Sequence, residues 1–414
     1  MKVIIPMSGQ SSRFAAAGYA IPKFMIEVDG KRIIEHIVEL YPRDSNFLFI
    51  LNDDQAQDLD LLDFLENMDI DSLTIVSVPV HKKGPVFSVS QFDDYIEDDE
   101  QVIVNYCDFS MINDWDDFTE YLKTSFNRRD AIDGCIVGYS GFHPHMLGDG
   151  NYAFCKLDRM GFNGIEEVRE KESFTDNKMK EFASAGAYYF KKGSYVKKYF
   201  KKLIEKDITV DGEYYVSLVY NLMKEDGLVS RYWEVDYFLQ WGTPLDLDMY
   251  QKQSNYFRRV MDGQKEVTIP NCVTAMPMAG GGSRFVEVGY GLPKPFLQIN
   301  GQYMVDLALK CLPKTDETIL APLSKYKTLF GVTDSMDTGN TVWIDEILEG
   351  QACTTEKIIE KVDSDTSILV SACDNGVLYD GDKFLELVND DDNDIIVWSY
   401  RNNYTTYYLS LIHI

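Results

Sequence analysis

Pro6-Met7-Ser8-Gly9-Gln10-Ser11-Ser12-Arg13-Phe14 returns 271 residues later as Pro277-Met278-Ala279-Gly280-Gly281-Gly282-Ser283-Arg284-Phe285. The correspondence continues without a gap. Gly18-Tyr19 pairs with Gly289-Tyr290, Pro22-Lys23 with Pro293-Lys294, and Gly30 with Gly301. Between positions 6 and 30, 11 of 25 residues are identical at that one offset, so the match is not a chance motif. A repeat this long is a duplicated domain, because solenoid periods run about 20–50 residues.

The repeated stretch has a physical logic. Val3-Ile4-Ile5 reads as a short buried strand. It opens into Ser8-Gly9-Gln10-Ser11-Ser12, and in the second copy into Gly280-Gly281-Gly282-Ser283. Small residues let the backbone pass close to a ligand and let successive N–H groups point at one anion. Arg13 and Arg284 can clamp phosphate oxygens in bidentate fashion. Lys23 and Lys294, each ten residues on, offer a second, compact cation. The combination suits a polyphosphate. A dinucleotide fingerprint does not fit: Gly280-x-Gly282-x-x-Phe285 lacks the third Gly, and position 300 is Asn where a ribose-binding acid would stand. The P-loop pattern fails as well, because no Gly-Lys-Ser/Thr follows.

Gly280-Gly281-Gly282-Ser283-Arg284-Phe285 followed by Pro293-Lys294-Pro295 resembles the signature of the sugar-phosphate nucleotidyltransferases. That pyrophosphorylase family includes glucose-1-phosphate thymidylyltransferases and choline-phosphate cytidylyltransferases. The first copy is similar, with Phe24 where the family usually has Pro. The resemblance covers most of the chain. It implies an α/β, Rossmann-like fold of the GT-A-like nucleotidyltransferase kind, duplicated: a mostly parallel sheet with helices on both faces. The expected division is a complete domain over 1–255, a linker over 256–270 and a second, C-terminally truncated domain over 271–414.

The alternation of elements agrees. Apolar strands are expected at 3–7, 47–51, 73–78, 101–106 and 134–139, with amphipathic helices at 31–41, 55–67, 86–96 and 115–126 between them. In such sheets ligands sit at the carboxyl ends of the strands. Asp108 ends the run Val102-Ile103-Val104-Asn105-Tyr106-Cys107, and Asp374 ends Ile368-Leu369-Val370-Ser371-Ala372-Cys373. A carboxylate there can hold Mg²⁺ against phosphate oxygens, the role the resemblance implies for both. The family's base-contacting turn, which opens a helix, is matched by Lys83-Gly84-Pro85 and Glu349-Gly350-Gln351.

The sugar half of the family is matched only once. Glu170-Lys171 resembles the pair whose Lys contacts the sugar phosphate, with Glu172 in place of Pro. Ser184-Ala185-Gly186-Ala187-Tyr188 resembles the strand against the sugar, and the resemblance gives Glu213 of Gly212-Glu213-Tyr214-Tyr215 contact with sugar hydroxyls. Trp241-Gly242-Thr243-Pro244 resembles the closing motif, but Gln240 stands where many relatives place a second metal-binding Asp. Asp236, four residues earlier, is the candidate substitute.

Composition bounds the partners. A net charge of −27 argues against nucleic acid and anionic membranes, so a nucleotide site must override the global field locally. Seven cysteines without paired spacing argue against zinc and disulfide frameworks. No signal peptide or spanning apolar run is read, which makes a cytoplasmic protein the expectation; a homo-oligomer stays open. His143-Pro144-His145 reads as a structural turn.

Through the resemblance, a sugar-phosphate oxygen attacks the α-phosphorus of a nucleoside triphosphate and pyrophosphate leaves. Arg13 neutralises the β- and γ-phosphates, Lys23 the α-phosphate, Asp108 holds Mg²⁺ and Lys171 orients the acceptor. Three readings remain: a nucleotide-sugar synthase for surface polysaccharide, a cytidylyltransferase acting on a phospho-amino-alcohol such as phosphocholine, and a catalytically weak nucleotide sensor. Subtracting the offset of 271 sets Ile414 against position 143 of the first copy, and the apolar tail Tyr404–Ile414 reads as a strand cut from its sheet.

Overall fold

A computed structural model describes residues 1–123, 132–147, 152–158, 163–262, 266–299, 301–329 and 340–399. The tail at 404–414, position 300 and the last three residues of the helix expected at 115–126 lie outside them. The chain divides into two compact units, Met1–Ser254 and Asn255–Tyr400.

Among the described residues, the central sheet of unit 1 has nine strands: β1 (Lys2–Pro6), β2 (Asn46–Asn52), β3 (Ser72–Val78), β4 (Val102–Asn105), β5 (Gly134–Tyr139), β6 (Ala153–Leu157), β7 (Ile165–Glu170), β8 (Phe182–Phe190) and β9 (Ser230–Glu234). The order is β7-β6-β8-β4-β1-β2-β3, with β5 on β8 and β9 on β5. Strands β3, β2, β1 and β4 run parallel. Val3 and Ile5 enter one apolar cluster and Ile4 the other, so both faces of β1 are dry. That is why its sequence reads as an unbroken apolar run. Helices Ile33–Val38, Leu59–Glu66 and Trp115–Lys123 cover one face; Pro85–Ser90, Gly193–Glu205 and Val216–Glu225 cover the other. This is the expected α/β arrangement. Its mixed character comes from the second half, where β8 inserts antiparallel to β4, β5 and β6.

The connection expected at 256–270 is largely regular structure. Helix Pro244–Asp262 runs through its first half, and β10 (Thr268–Met278) begins before its end. In unit 2, β10 lies between β11 (Lys314–Pro322) and β12 (Ser367–Val370), all parallel. Ile5 faces Phe49 across β1 and β2; Met276 faces Leu320 across β10 and β11. Both partners are 271 residues further on, so the two strand pairs share one register.

Candidate active site

The loop after β1 is held by its carbonyls. Asn52 Nδ2 donates to Ser8 O at 3.1 Å and Gln55 Nε2 to Gly9 O at 3.4 Å. Asn52 and Gln55 fix one another through two backbone-to-side-chain bonds of 2.9 Å. With these carbonyls tied back toward β2, the loop's exposed side can present N–H groups, as an anion requires. Ser11 closes the loop at φ 49°, in the left-handed region, and its hydroxyl accepts the Lys23 N–H at 3.1 Å. Gly282 holds the same position of the second loop at φ 60°. Glycine adopts that conformation without strain; Ser11 offsets its strain with the bond to Lys23.

That bond matters because Lys23 is one of the site's cations. Its Nζ lies 2.7 Å from Asp108 Oδ2. Burial alone would lower the pKa of the ammonium, but Asp108 reverses this and the net shift is upward. Both side chains keep about a quarter of their surface (23% and 27%), so the pair is shielded but not dry. In unit 2, Lys294 pairs with Asp374 in the same way. Burial pushes the neighbouring Cys107 thiol up to about 11, which keeps it protonated. Gly242 closes over Asp108: a Cβ there would stand 2.9 Å from Gln240 Nε2 and 3.3 Å from Asp108 Oδ2.

Beside the pair lies a cavity of about 100 Å³, lined by Arg13, Asp108, Tyr152, Glu170, Ser184 and Gly186, among others. A register shift in β8 between Ser184 and Ala187, with Gly186 at φ 102°, bulges the strand toward it. Glu170, at the end of β7, is 9% exposed and accepts from the Ser217 hydroxyl. Burial raises its pKa to about 7, against the pull of Ser217 and Lys171. Asp246 is held by Thr243, whose Oγ1 lies 2.6 Å away. Burial first, and the charge of Asp108 among the smaller causes, raise the Asp246 pKa. Sequence reading missed Tyr152, Glu170 and Asp246 as site residues. Glu170 stood in the Glu170-Lys171 pair, where only the Lys was given a role, and Asp246 in the Thr-x-x-Asp pattern of a helix start; Tyr152 carried no local signal.

Other expected residues fall elsewhere. Lys171 sits at φ 59°, pairs with Asp211 at 2.9 Å and lies over the Tyr215 ring. It is not among the residues lining the cavity. Glu213 accepts from the Tyr215 hydroxyl and backs the Gly84 turn. Asp236 does not share a strand face with Gln240: a bend separates β9 from the strand Tyr237–Gln240, and Asp236 is exposed in it. It lines a different cavity, with Tyr139, His143 and Phe238. Gly350 opens helix Gln351–Ile359 in an extended conformation. A larger cavity, about 1080 Å³, lies between Ile21, Arg32 and Phe64, and none of Ser8–Arg13 lines it.

Among the described residues, no group of three or more His, Cys, Asp or Glu could hold a metal ion. One accessible carboxylate beside two cations still fits Mg²⁺ that arrives on phosphates, since Mg²⁺ keeps phosphate and water ligands and needs only one or two carboxylates. No helix among the described residues is long and apolar enough to cross a membrane.

No protein-family model and no curated protein matches the chain. The chain is similar to solved nucleotide-sugar pyrophosphorylases. A nucleoside-diphosphate-sugar pyrophosphorylase from Vibrio cholerae RC9 is 21% identical, with a TM-score of 0.49, over 61% of this chain and 100% of its own. An inositol-1-phosphate CTP transferase from T. maritima is 14% identical, with a TM-score of 0.44, over 61% and 94%. A UDP-glucose pyrophosphorylase complexed with UDP-glucose is 14% identical, with a TM-score of 0.47, over 63% and 98%.

Proposed function

We propose that unit 1 is a cytoplasmic enzyme that transfers a nucleotidyl group from a nucleoside triphosphate to a sugar 1-phosphate, releasing pyrophosphate and supplying nucleotide-sugar for surface polysaccharide. The observation that carries the reading is the convergence of Arg13, Lys23 and Asp108 at the ends of β1 and β4, beside the bulged Ser184–Gly186 strand. Three features from distant parts of the sequence meet there, each of the type the transfer needs.

The acceptor phosphate is already an anion, so no general base is required. Catalysis is positioning and charge neutralisation. The Ser8–Ser12 loop holds the triphosphate by backbone N–H groups, and Arg13 neutralises the charge that grows on the leaving pyrophosphate. Lys23 turns from Asp108 toward the α-phosphate. Asp108 is the residue that would hold Mg²⁺, which when bound supplies further neutralisation of the phosphate oxygens. Glu170 and the Gly186 bulge orient the acceptor; Lys171 reaches its phosphate only by leaving Asp211. We further propose that 271–414 carries a second copy of the loop-and-strand half, supported by the shared register and the paired Lys294 and Asp374.

One observation favours a second acceptor. Tyr106, Tyr152 and Tyr188 line the cavity together with the Glu170 carboxyl. Aromatic faces beside an acid suit an alkylammonium group, so a phospho-amino-alcohol such as phosphocholine is the alternative acceptor. Pyrophosphate release from each nucleoside triphosphate, screened against sugar 1-phosphates and phospho-amino-alcohols, decides between them. Release with no acceptor of either class would overturn both.

A further inference from the structure

A chain of polar side chains crosses unit 1 behind the phosphate loop. Ser8 Oγ lies 2.7 Å from Ser88 Oγ, and Ser88 Oγ lies 3.0 Å from His81 Nε2. Both serines are buried, at 5% and 1% exposure, so their hydroxyls need protein partners; Ser88 Oγ also lies 3.4 Å from Gly84 O. The far end sets the direction. The Lys83 N–H donates to His81 Nδ1 at 3.0 Å. A ring nitrogen that accepts carries no proton, so Nε2 carries it and donates to Ser88. The ring meets Phe87 edge to face, with centroids 4.8 Å apart.

His81 is therefore placed where the two halves of a nucleotide site join. Through Ser88 it reaches the loop at Ser8. Through Lys83 it holds the turn at Gly84, the turn assigned to the base. That turn also backs onto the acceptor side: Tyr214 N–H donates to Lys83 O at 2.9 Å, and Val86 N–H to Tyr214 O at 3.2 Å.

Unit 2 lacks every link. Ala279 stands 271 residues after Ser8, and Thr354 and Ile347 stand 266 after Ser88 and His81. The Thr354 hydroxyl bonds Gly350 O on its own helix at 3.3 Å, and Ile347 is exposed. Ser88 makes the corresponding bond in unit 1, 3.4 Å to Gly84 O, so what unit 2 lacks is the pair of links to Ser8 and His81. The two units thus differ by a whole device.

We infer that His81 is a positioning residue which, as the neutral imidazole, locks the phosphate loop to the base-side turn through Ser88 and Ser8. The inference rests on the nucleotidyl-transfer reading of unit 1. Protonation would set a hydrogen on Nδ1 against the Lys83 N–H, break that bond and release the ring. The charged groups that act on the ring are Lys83 on its own turn and Glu213 from the opposing segment; the helix adds the Ser88 hydroxyl and the Phe87 ring. Burial, then Lys83, lowers the ring's pKa against the smaller upward pull of Glu213, so release comes below the ordinary histidine range.

The test compares wild type with H81Q and H81A between pH 7.5 and pH 5. Gln can donate to Ser88 at any pH; Ala cannot. Amide exchange at Ser8–Phe14, corrected for intrinsic rates and measured without nucleotide, should quicken about five- to tenfold in wild type at low pH, the scale of one lost hydrogen bond. H81Q should be flat and H81A fast throughout. Nucleoside-triphosphate affinity, taken as the ratio of wild type to H81Q so that phosphate titration cancels, should fall by a similar factor. Identical exchange in all three proteins overturns the inference. If exchange behaves as expected and no nucleotide binds at any pH, the proposed function fails while the coupling stands.

Discussion

Lys23 Nζ lies 2.7 Å from Asp108 Oδ2, and Lys294 closes on Asp374 in the same way in unit 2. Each lysine follows its small-residue loop by about ten residues, and each aspartate lies just beyond a parallel strand far downstream, β4 ending at Asn105 and β12 at Val370. The pairing brings the proposed phosphate-binding cation to the proposed metal-binding anion, so a phosphate ligand must exchange one contact for another. The raised Lys23 pKa fixes the sign for the lysine: its own contribution to stability is present below the ordinary lysine value of 10.5 and is lost as pH rises through the higher folded value.

Lys23→Ala should therefore separate function from folding. Removing one preorganised charge at the transferring phosphate should slow turnover by about 10²–10³-fold. A pair that keeps a quarter of its surface contributes little more than an exposed one, so stability should change by about 1 kcal/mol or less. Steady-state kinetics beside urea unfolding checks both. A large loss of stability with turnover retained would make the pair structural.

Gly84 offers a prediction on backbone geometry. It sits at φ 83°, and a Cβ there would stand 2.9 Å from both Tyr214 N and Tyr214 O. Neither backbone atom can yield as a flexible side chain would. Gly84→Ala should destabilise unit 1 by about 1–3 kcal/mol and weaken nucleotide affinity. Gly350→Ala, with extended backbone and open space around it, should do neither. Chemical denaturation of the two variants is the comparison.

The parts of the site legible in the sequence are those stated twice or set by strand ends: the loops, Arg13, Lys23 and Asp108. Their placement follows from the apolar runs of β1 and β4, which need only period and length to read. What was not legible depends on turns and distant pairings. The bend at Val235–Asp236 removes Asp236 from the face of Gln240, and no periodicity announces a bend. Lys171 is diverted to Asp211 by a left-handed backbone that the sequence Glu-Lys-Glu does not signal. His81, Ser88 and Ser8 meet across 80 residues with no local pattern. The run Phe182–Phe190 tells of burial but not of direction, so the antiparallel insertion of β8 was also hidden.

Arg13 and Arg284 give a contrast between the units. Arg13 lines the cavity that also holds Glu170 and the Gly186 bulge, all in unit 1. Arg13→Ala should cost about 2–4 kcal/mol of transition-state stabilisation and leave folding intact, because the residue is an exposed side chain on the short helix Ser12–Ala16. Arg284→Ala should leave turnover within about twofold of wild type if unit 1 performs the transfer. The reverse ranking would move the reaction to unit 2.

Two buried groups should tilt the stability of unit 1 in opposite directions with pH. Glu170 has its pKa raised from 4.5 to about 7 by burial. The folded state then binds the proton more tightly than the unfolded chain, so this group's share of stability is intact below about 4.5 and declines as pH rises toward 7. His145, hydrogen-bonded through Nε2 to the Tyr139 hydroxyl at 2.7 Å, is lowered from 6.5 to about 3, by burial first and by His143 second. There the unfolded chain binds the proton more tightly, so stability is intact above about 6.5 and falls as pH drops toward 3. Glu170→Gln should remove the first slope. The difference from wild type should grow by on the order of 3 kcal/mol between pH 4.5 and 7, at 1.36 kcal/mol per unit. His145→Gln should flatten the acid side and leave the neutral side unchanged. Unfolding free energies of the three proteins at half-unit pH steps provide the measurement. Parallel curves for wild type and Glu170→Gln would mean that the carboxyl titrates in the folded protein as it does in the unfolded chain, with solvent reaching it beside Ser217.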